Sequence, residues 1–428
     1  MTGRVARAGE AGDGLLRRLA AWAVAAFVFT VPFEEIVTIA GLGSTTRLVG
    51  LVAISLGVLA LFEGGERVRL RRPTVFVVLL AAYVVWNLAT WFWSFEPAAT
   101  QRTVFTLAQL FAFVWLVTEF CRGRQCLARL MQAFVLGNYV AFGITVYNVL
   151  VISGGAFREI GRFNANEFSI LLALAIPMAA LLLGETRRGW LYALNAAYPV
   201  VATFGVVLGA SRGGLIVCLV ALAVVPFAMA HLGPVRRLSL LVAAVAATWF
   251  SFAFAPVLVP DLVRNVERLQ GTADELTTGT LTGRTTIWGE TLEVFQASPV
   301  VGIGAGATRF ALAETDLGRV KAVHNAFLSV ASGSGLVGLG LLLGLVALAF
   351  AGALWAPPEL RPFLLVLGLA MLVAMMPANL EARKATWFVW VLMASFRPVS
   401  LTWRSETAVV PVRQFPVRKR PYHMSEGA

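Results

Sequence analysis

Residues 325–353 read NAFLSVASGSGLVGLGLLLGLVALAFAGA, a run of 29 residues without one charged side chain. The hydrocarbon core of a bilayer, about 30 Å thick, takes about 20 apolar residues of helix, so this stretch is long enough to span it. The Ser, Gly and Ala residues of its first half let a neighbouring helix approach closely. Outward from it, apolar stretches recur at 17–33, 46–63, 74–94, 101–120, 128–152, 167–184, 189–209, 214–231, 237–259, 362–378 and 385–397. The 428-residue chain is 58% hydrophobic and 14% charged, with mean hydropathy +0.78. Soluble domains are about 25% charged, so a water-facing globule is excluded. The expected fold is an all-α polytopic membrane protein of about 12 transmembrane helices, with both termini on one side.

Charge placement predicts the orientation. With a cytoplasmic N-terminus, 22 of the 35 Lys and Arg residues fall inside, against 9 of the 23 Asp and Glu. The inner face is then +13 and the outer face −1, so the positive-inside rule takes up the whole formal charge of +12. Basic groups beside anionic lipids explain that charge, and no nucleic-acid partner is expected. The first apolar stretch follows Arg17 and Arg18 as a signal peptide would, but it lacks a small-x-small site before Pro32 and reads as a retained helix. Cys121 and Cys126 fall at the inner end of the fourth span and Cys218 within the eighth, which predicts three free thiols and no disulfide. Cys-x4-Cys without a histidine is no zinc site.

Four regions follow: helices one to nine over 1–259, an outer loop over 260–324, helices ten to twelve over 325–397, and a basic cytoplasmic tail over 398–428. A connection as long as 260–324 in a compact membrane protein is usually functional. Asp261 is a plausible N-cap for DLVRNVERLQG, whose Leu262, Val263, Val266 and Leu269 repeat at helical spacing. In RTTIWGETLEVFQASP, Trp288, Thr291, Leu292 and Phe295 share a face, and Pro299 stops the helix. The glycines of VGIGAG (301–306) read as a tight turn, because no strand–helix unit surrounds them as a dinucleotide fingerprint requires.

Three outer-face groups bear on chemistry. His324, where the loop enters span ten, carries an imidazole able to accept a proton near neutral pH, or to serve as an ordinary helix-end residue. Arg212, in the tight connection SRGG, either snorkels to headgroups or faces a ligand that the glycines admit. Arg284 opens the second loop helix, where backbone N–H groups and a guanidinium together favour an anion. Arg158 and Arg162, with Asn164 and Asn166 near them, form a further outer cluster, and Asn325 follows His324. His231 and His423 read as solvated. No Asp-x-Asp motif lies in an outer connection, so no metal or other cofactor is expected. Arginines around one histidine suit a lipid-borne diphosphate, whose developing charge they would stabilise.

The stretches GRFNANEFSILLALAIP (161–177), SRGGL (211–215), GRTTIWGETLEVFQASPVVGIGAG (283–306) and HNAFLSVASGSGLVGLG (324–340) together resemble the O-antigen ligase/polymerase superfamily of bacterial membrane glycosyltransferases. The resemblance implies a GT-C-like membrane fold in the bacterial inner membrane, with a periplasmic active site and cytoplasmic termini. It also implies inverting transfer of a glycan from undecaprenyl diphosphate to an acceptor hydroxyl, such as that of lipid A-core, without metal or nucleotide. By motif, Arg212 and Arg284 would hold the diphosphate and His324 would activate or position the acceptor. One long outer loop and a short 153–166 connection resemble the ligases more than the polymerases. The tail after 397 reads as short, basic and cytoplasmic rather than as a large extramembrane domain, which weakens the protein-glycosylating reading. A transporter or flippase of lipid-linked glycans stands as the other class, although no internal repeat is evident and the polar groups gather at the outer helix ends.

Overall fold

A computed structural model describes residues 14–34, 36–39, 43–63, 74–121, 123–152, 159–160, 163–186, 189–229, 232–258, 262–272, 284–315, 318 and 320–406. Nine long helices come first: α1 (Leu15–Thr30), α2 (Thr45–Leu61), α3 (Val75–Ala89), α4 (Pro97–Phe120), α5 (Gly123–Tyr147), α6 (Ala165–Glu185), α7 (Gly189–Gly209), α8 (Arg212–Ala228) and α9 (Pro234–Leu258). Among the described residues three shorter ones follow, α10 (Val263–Gln270), α11 (Arg284–Ala297) and α12 (Thr308–Ala311). The last three are α13 (Ala326–Trp355), α14 (Arg361–Met375) and α15 (Lys384–Glu406). Two minimal antiparallel hairpins, Thr38–Ile39 with Gly43–Ser44 and Glu159–Ile160 with Phe163–Asn164, interrupt the helical plan.

Each expected apolar stretch carries a helix. Among the described residues, eight helices are long and apolar enough to cross a membrane, and Thr45–Leu61, Arg212–Ala223 and Arg361–Met375 are apolar but shorter. The chain is therefore a mostly helical, multi-pass membrane protein. Helix α15 continues to Glu406, so the stretch after 397 begins as helix rather than as tail.

Helix α6 lies at the centre, packed on α5, α7, α8 and α14. Its residues 168–183 are buried apart from Leu171, and the start of α15, from Trp387 to Met393, is fully buried as well. The ion pairs gather at the two ends of the bundle. At one end Glu63 accepts from the backbone N–H groups of Leu16 (2.9 Å) and Arg17 (3.0 Å), serving the unsatisfied donors at the start of α1. There too Arg17 pairs with Glu119 at 3.3 Å, and Arg124 with Glu185.

At that same end Cys121 and Cys126 form a disulfide, which overturns the expectation of free thiols; Cys218 alone is free and buried. Helix α4 ends at Phe120 and α5 starts at Gly123, so the chain turns within a few residues. The turn brings the two Cα atoms to 5.5 Å, within bonding range.

Helix α13 is broken at Gly335, whose φ of 68° and ψ of −173° are not helical. The break exposes backbone groups that the segment 299–304 serves. Leu336 N donates to Pro299 O (2.8 Å), Ile303 N to Ser332 O (3.1 Å) and Gly304 N to Gly333 O (2.9 Å). VGIGAG is thus the expected tight turn, with positive φ at Gly302, Gly304 and Gly306. A Cβ on Gly302 would stand 2.5 Å from the Gly333 carbonyl carbon. Gly302→Ala should cost about 1–3 kcal/mol from overpacking and about 1 kcal/mol for the left-handed φ. A clear fall in the melting temperature of the purified protein, against no fall in Gly340→Ala, where a Cβ meets open space, checks this.

Candidate active site

The opposite end of the bundle gathers loop residues around His324. Connections there are short and tightly held. Only Ala210 and Ser211 separate α7 from α8, and Ala210 takes a left-handed φ of 44° to make the turn. The Ser211 hydroxyl donates to Asn166 Oδ1 (2.6 Å) and accepts from Gly214 N (3.0 Å), capping α8. Asn166 Nδ2 in turn donates to Pro377 O (3.1 Å), which ties α6 and α8 to the link before α15. A Cβ on Gly213 would sit 2.8 Å from Asn166 Oδ1 and 2.9 Å from Pro377 Cβ, so SRGG serves close packing as well as the turn. Ser211→Ala should lower stability by about 1 kcal/mol through the lost cap, read as a small fall in melting temperature.

Arg212 therefore stands on the first turn of α8, and its Nε donates to Arg268 O (3.1 Å) at the end of α10. Asn265 Nδ2 donates to Leu208 O (3.1 Å), so α10 lies across the α7–α8 corner. The expected α10 face holds at Leu262, Val266 and Leu269, all buried, whereas Val263 is 42% exposed. Asp261, its expected cap, lies outside the described residues.

Arg284 is the first residue of α11, as expected. The buried face of that helix differs from expectation: Ile287 and Thr291 turn inward, and Leu292 is 46% exposed. Ile287 packs with Leu312 and Val323, and Trp288 Nε1 donates to Val323 O (3.0 Å), the carbonyl just before His324. One helical turn separates Trp288 from Arg284, so this clamp sets the guanidinium towards the imidazole. Burial lowers the Arg284 pKa first, and the neighbouring Arg212 and Arg268 lower it further. Arg284 thus sits in the field of two further guanidiniums, and like charges near one another favour an anion beside them.

His324 is half-buried, with an unusual φ of 53°. Such a conformation is costly for a residue with a Cβ and persists where its surroundings over-determine it. Its N–H donates to Asn379 Oδ1 (2.6 Å), and Asn325 caps α13 by accepting from Leu328 N (3.1 Å). Burial, then the Arg284 charge, holds the imidazole below its ordinary pKa, so it is neutral at physiological pH. A neutral imidazole accepts protons.

Sequence reasoning missed Asn379 and Glu381. Asn379 Nδ2 donates to Glu381 Oε1 (3.3 Å), and Ser329 Oγ donates to the same oxygen (2.7 Å). Burial pushes the Glu381 carboxyl up, opposed by these hydrogen bonds and by Arg383. Its Oε2 is buried without a hydrogen-bond partner among the described residues. The signal was an acidic residue in PANLEARK between two apolar stretches, which reads as an ordinary solvated link. Nearby, Arg383 pairs with Glu167 at 2.7 Å, and Lys384 with Glu34.

His324, Glu381, Asn379 and Asn166 line one cavity of about 570 Å³, within the ordinary range for small-molecule sites. Arg212 and Arg284 are not part of its lining; His324, which is, feels the Arg284 charge. Arg158, Arg162, His231 and His423 lie outside the described residues.

Residues 197–343 match a family model described as O-Antigen ligase. The match supports the O-antigen ligase/polymerase superfamily, and Arg212, Arg284 and His324 all lie within the matched segment. No curated protein matches the chain.

Proposed function

We propose, from the superfamily that residues 197–343 support, that the protein is an O-antigen ligase-like glycosyltransferase. The donor is a glycan on undecaprenyl diphosphate and the acceptor is a hydroxyl of lipid A-core. The site end of the bundle faces the periplasm, with the termini in the cytoplasm of a bacterial inner-membrane protein. The observation that carries this reading is the trio Arg212, Arg268 and Arg284 beside a neutral His324.

The chemistry follows from those groups. The acceptor hydroxyl oxygen attacks the anomeric carbon, the carbon–oxygen bond to diphosphate breaks, and the diphosphate leaves with the bonding pair. The hydroxyl proton passes to His324. Charge develops on the leaving oxygen, where fixed guanidiniums stabilise it without reorganisation. Attack opposite the leaving group inverts the anomeric centre, as in the resembled family. The chain's own residues supply the charge that a metal would otherwise bring.

The broken α13 weighs against the transporter class. Transporters line their midplane site with broken helices, whereas here the segment 299–304 fills the break with its own backbone hydrogen bonds.

The test uses purified protein, polyprenyl-diphosphate glycan and lipid A-core, with products read by mass spectrometry. Glycan on the core lipid is expected. Longer chains on the polyprenyl carrier would mean a polymerase instead. Movement of lipid-linked glycan across vesicles without a new bond would restore the transporter.

A further inference from the structure

The cavity beside His324 carries a second set of cations that the diphosphate does not need. Arg102, on α4, and Arg309, on α12, both line it. Neither has an ion-pair partner among the described residues; of the carboxylates on the same wall, Glu167 and one oxygen of Glu381 are engaged elsewhere, and Glu381 Oε2 is not. Glu167 holds Arg383, and Glu381 Oε1 holds Ser329 and Asn379.

The fold holds against each other the segments that carry these two exposed arginines. Phe95 N donates to Ile303 O (2.8 Å), Trp93 Nε1 to Gly302 O (3.1 Å), and Ala305 N to Thr90 Oγ1 (3.1 Å). The start of α4 and the glycine turn therefore form one rigid corner. Gly306 lies against Thr103, next to Arg102, and three residues on the chain reaches Arg309. Thr308, one residue before, is fixed by a 2.9 Å hydrogen bond to Ser332 of α13. The guanidinium of Arg309 lies 4.7 Å from the Phe310 ring centroid, which orients it.

The polar lining also includes the Asn164 amide and the Thr103 and Thr106 hydroxyls, groups that bind sugar hydroxyls. Donor diphosphate and acceptor must approach His324 from different sides for the proton and the leaving group to separate. The Arg212–Arg284 side serves the diphosphate, which leaves the cavity for the acceptor.

We infer that Arg102 and Arg309 form an anion subsite that selects an acceptor glycan bearing a phosphate or carboxylate close to the reacting hydroxyl. This inference rests on the transferase reading and concerns the same site. Arginine forks match either anion bidentately, so the shared chemistry is a negatively charged sugar substituent.

Two measurements separate the inference from the reading beneath it. In the first, calorimetry follows binding of a hexose phosphate, a hexuronate and the neutral hexose to the full-length protein and to Arg102→Gln/Arg309→Gln. Preference for both charged sugars, reduced about tenfold in the double variant, is expected. Equal binding of all three sugars would overturn the subsite whatever reaction the protein performs. In the second, transfer is assayed with phosphorylated, carboxylated and neutral acceptors. The double variant should raise KM for the charged acceptors about tenfold and leave the donor KM unchanged. A rise in donor KM alone would assign the two arginines to the donor and overturn the inference. Absence of transfer by the wild type with every acceptor would sink the transferase reading, and the calorimetric result would still decide the subsite.

Discussion

Replacing Arg284 with alanine is expected to lower kcat for glycan transfer by about 10²–10³-fold, with membrane insertion and purification unchanged. The guanidinium begins a helix anchored through Ile287 and the Trp288–Val323 hydrogen bond, so removing it leaves the scaffold in place. Its burial, and the charges of Arg212 and Arg268 beside it, make the cluster costly until a diphosphate arrives. That cost is relieved most when the leaving oxygen carries its full charge, so the loss should appear in kcat more than in donor KM. Arg284→Lys should recover only part of the rate, because an ammonium cannot fork across two phosphate oxygens. Arg212→Ala should cause a similar fall. The double variant should lose less than the product of the two single effects, since both groups act on one anion. Full activity in either single variant would remove the diphosphate role of that residue. The readout is initial rate against donor concentration, with size-exclusion profiles as the control for folding.

The helices were legible because a bilayer demands long apolar runs, and each run expected between 17 and 397 carries a helix. The placement of Arg212 and Arg284 at helix starts was legible because each lies beside glycine, a local signal. What the sequence hid was non-local. The break at Gly335 lies within an unbroken apolar run, and only the segment 299–304, some thirty residues earlier, makes it tolerable. Glu381 looks like any loop carboxylate until the fold surrounds it with Ser329 and Asn379. Leu292 was placed inward by periodicity alone, but α11 packs through Ile287 against Leu312 and Val323 from other parts of the chain. The disulfide escaped for another reason. An argument from compartment cannot register that a two-helix corner holds Cys121 and Cys126 within reach of each other.

Substitution of His324 should cost about 10²–10⁴-fold in kcat if the imidazole takes the acceptor proton. The informative variant is His324→Asn. Asparagine tolerates the left-handed φ of 53° better than alanine, and the backbone bond to Asn379 survives, so lost activity then reports the ring. The pH dependence carries the sign. Burial and Arg284 both lower the imidazole pKa, so the neutral base persists below pH 6.5 and is lost only as pH falls through the depressed value. The rate should therefore be flat around neutrality, with its acid limb below 6.5. Arg284→Gln removes the charge but not the burial, so the limb of its residual activity should move up towards 6.5 while the plateau falls. A structural histidine predicts otherwise: His324→Asn would keep its rate, and the acid limb would not respond to Arg284. Asn379→Ala separates orientation from basicity. It frees the His324 backbone and releases one donor from Glu381, so the rate should drop with the position of the limb unchanged. An acid limb that ignores Arg284 in an enzyme that still needs His324 would mean that the ring only orients the hydroxyl, and the proton would then have to leave by another group of the same cavity. Glu381, with its buried second oxygen lacking a partner among the described residues, is the group to test next.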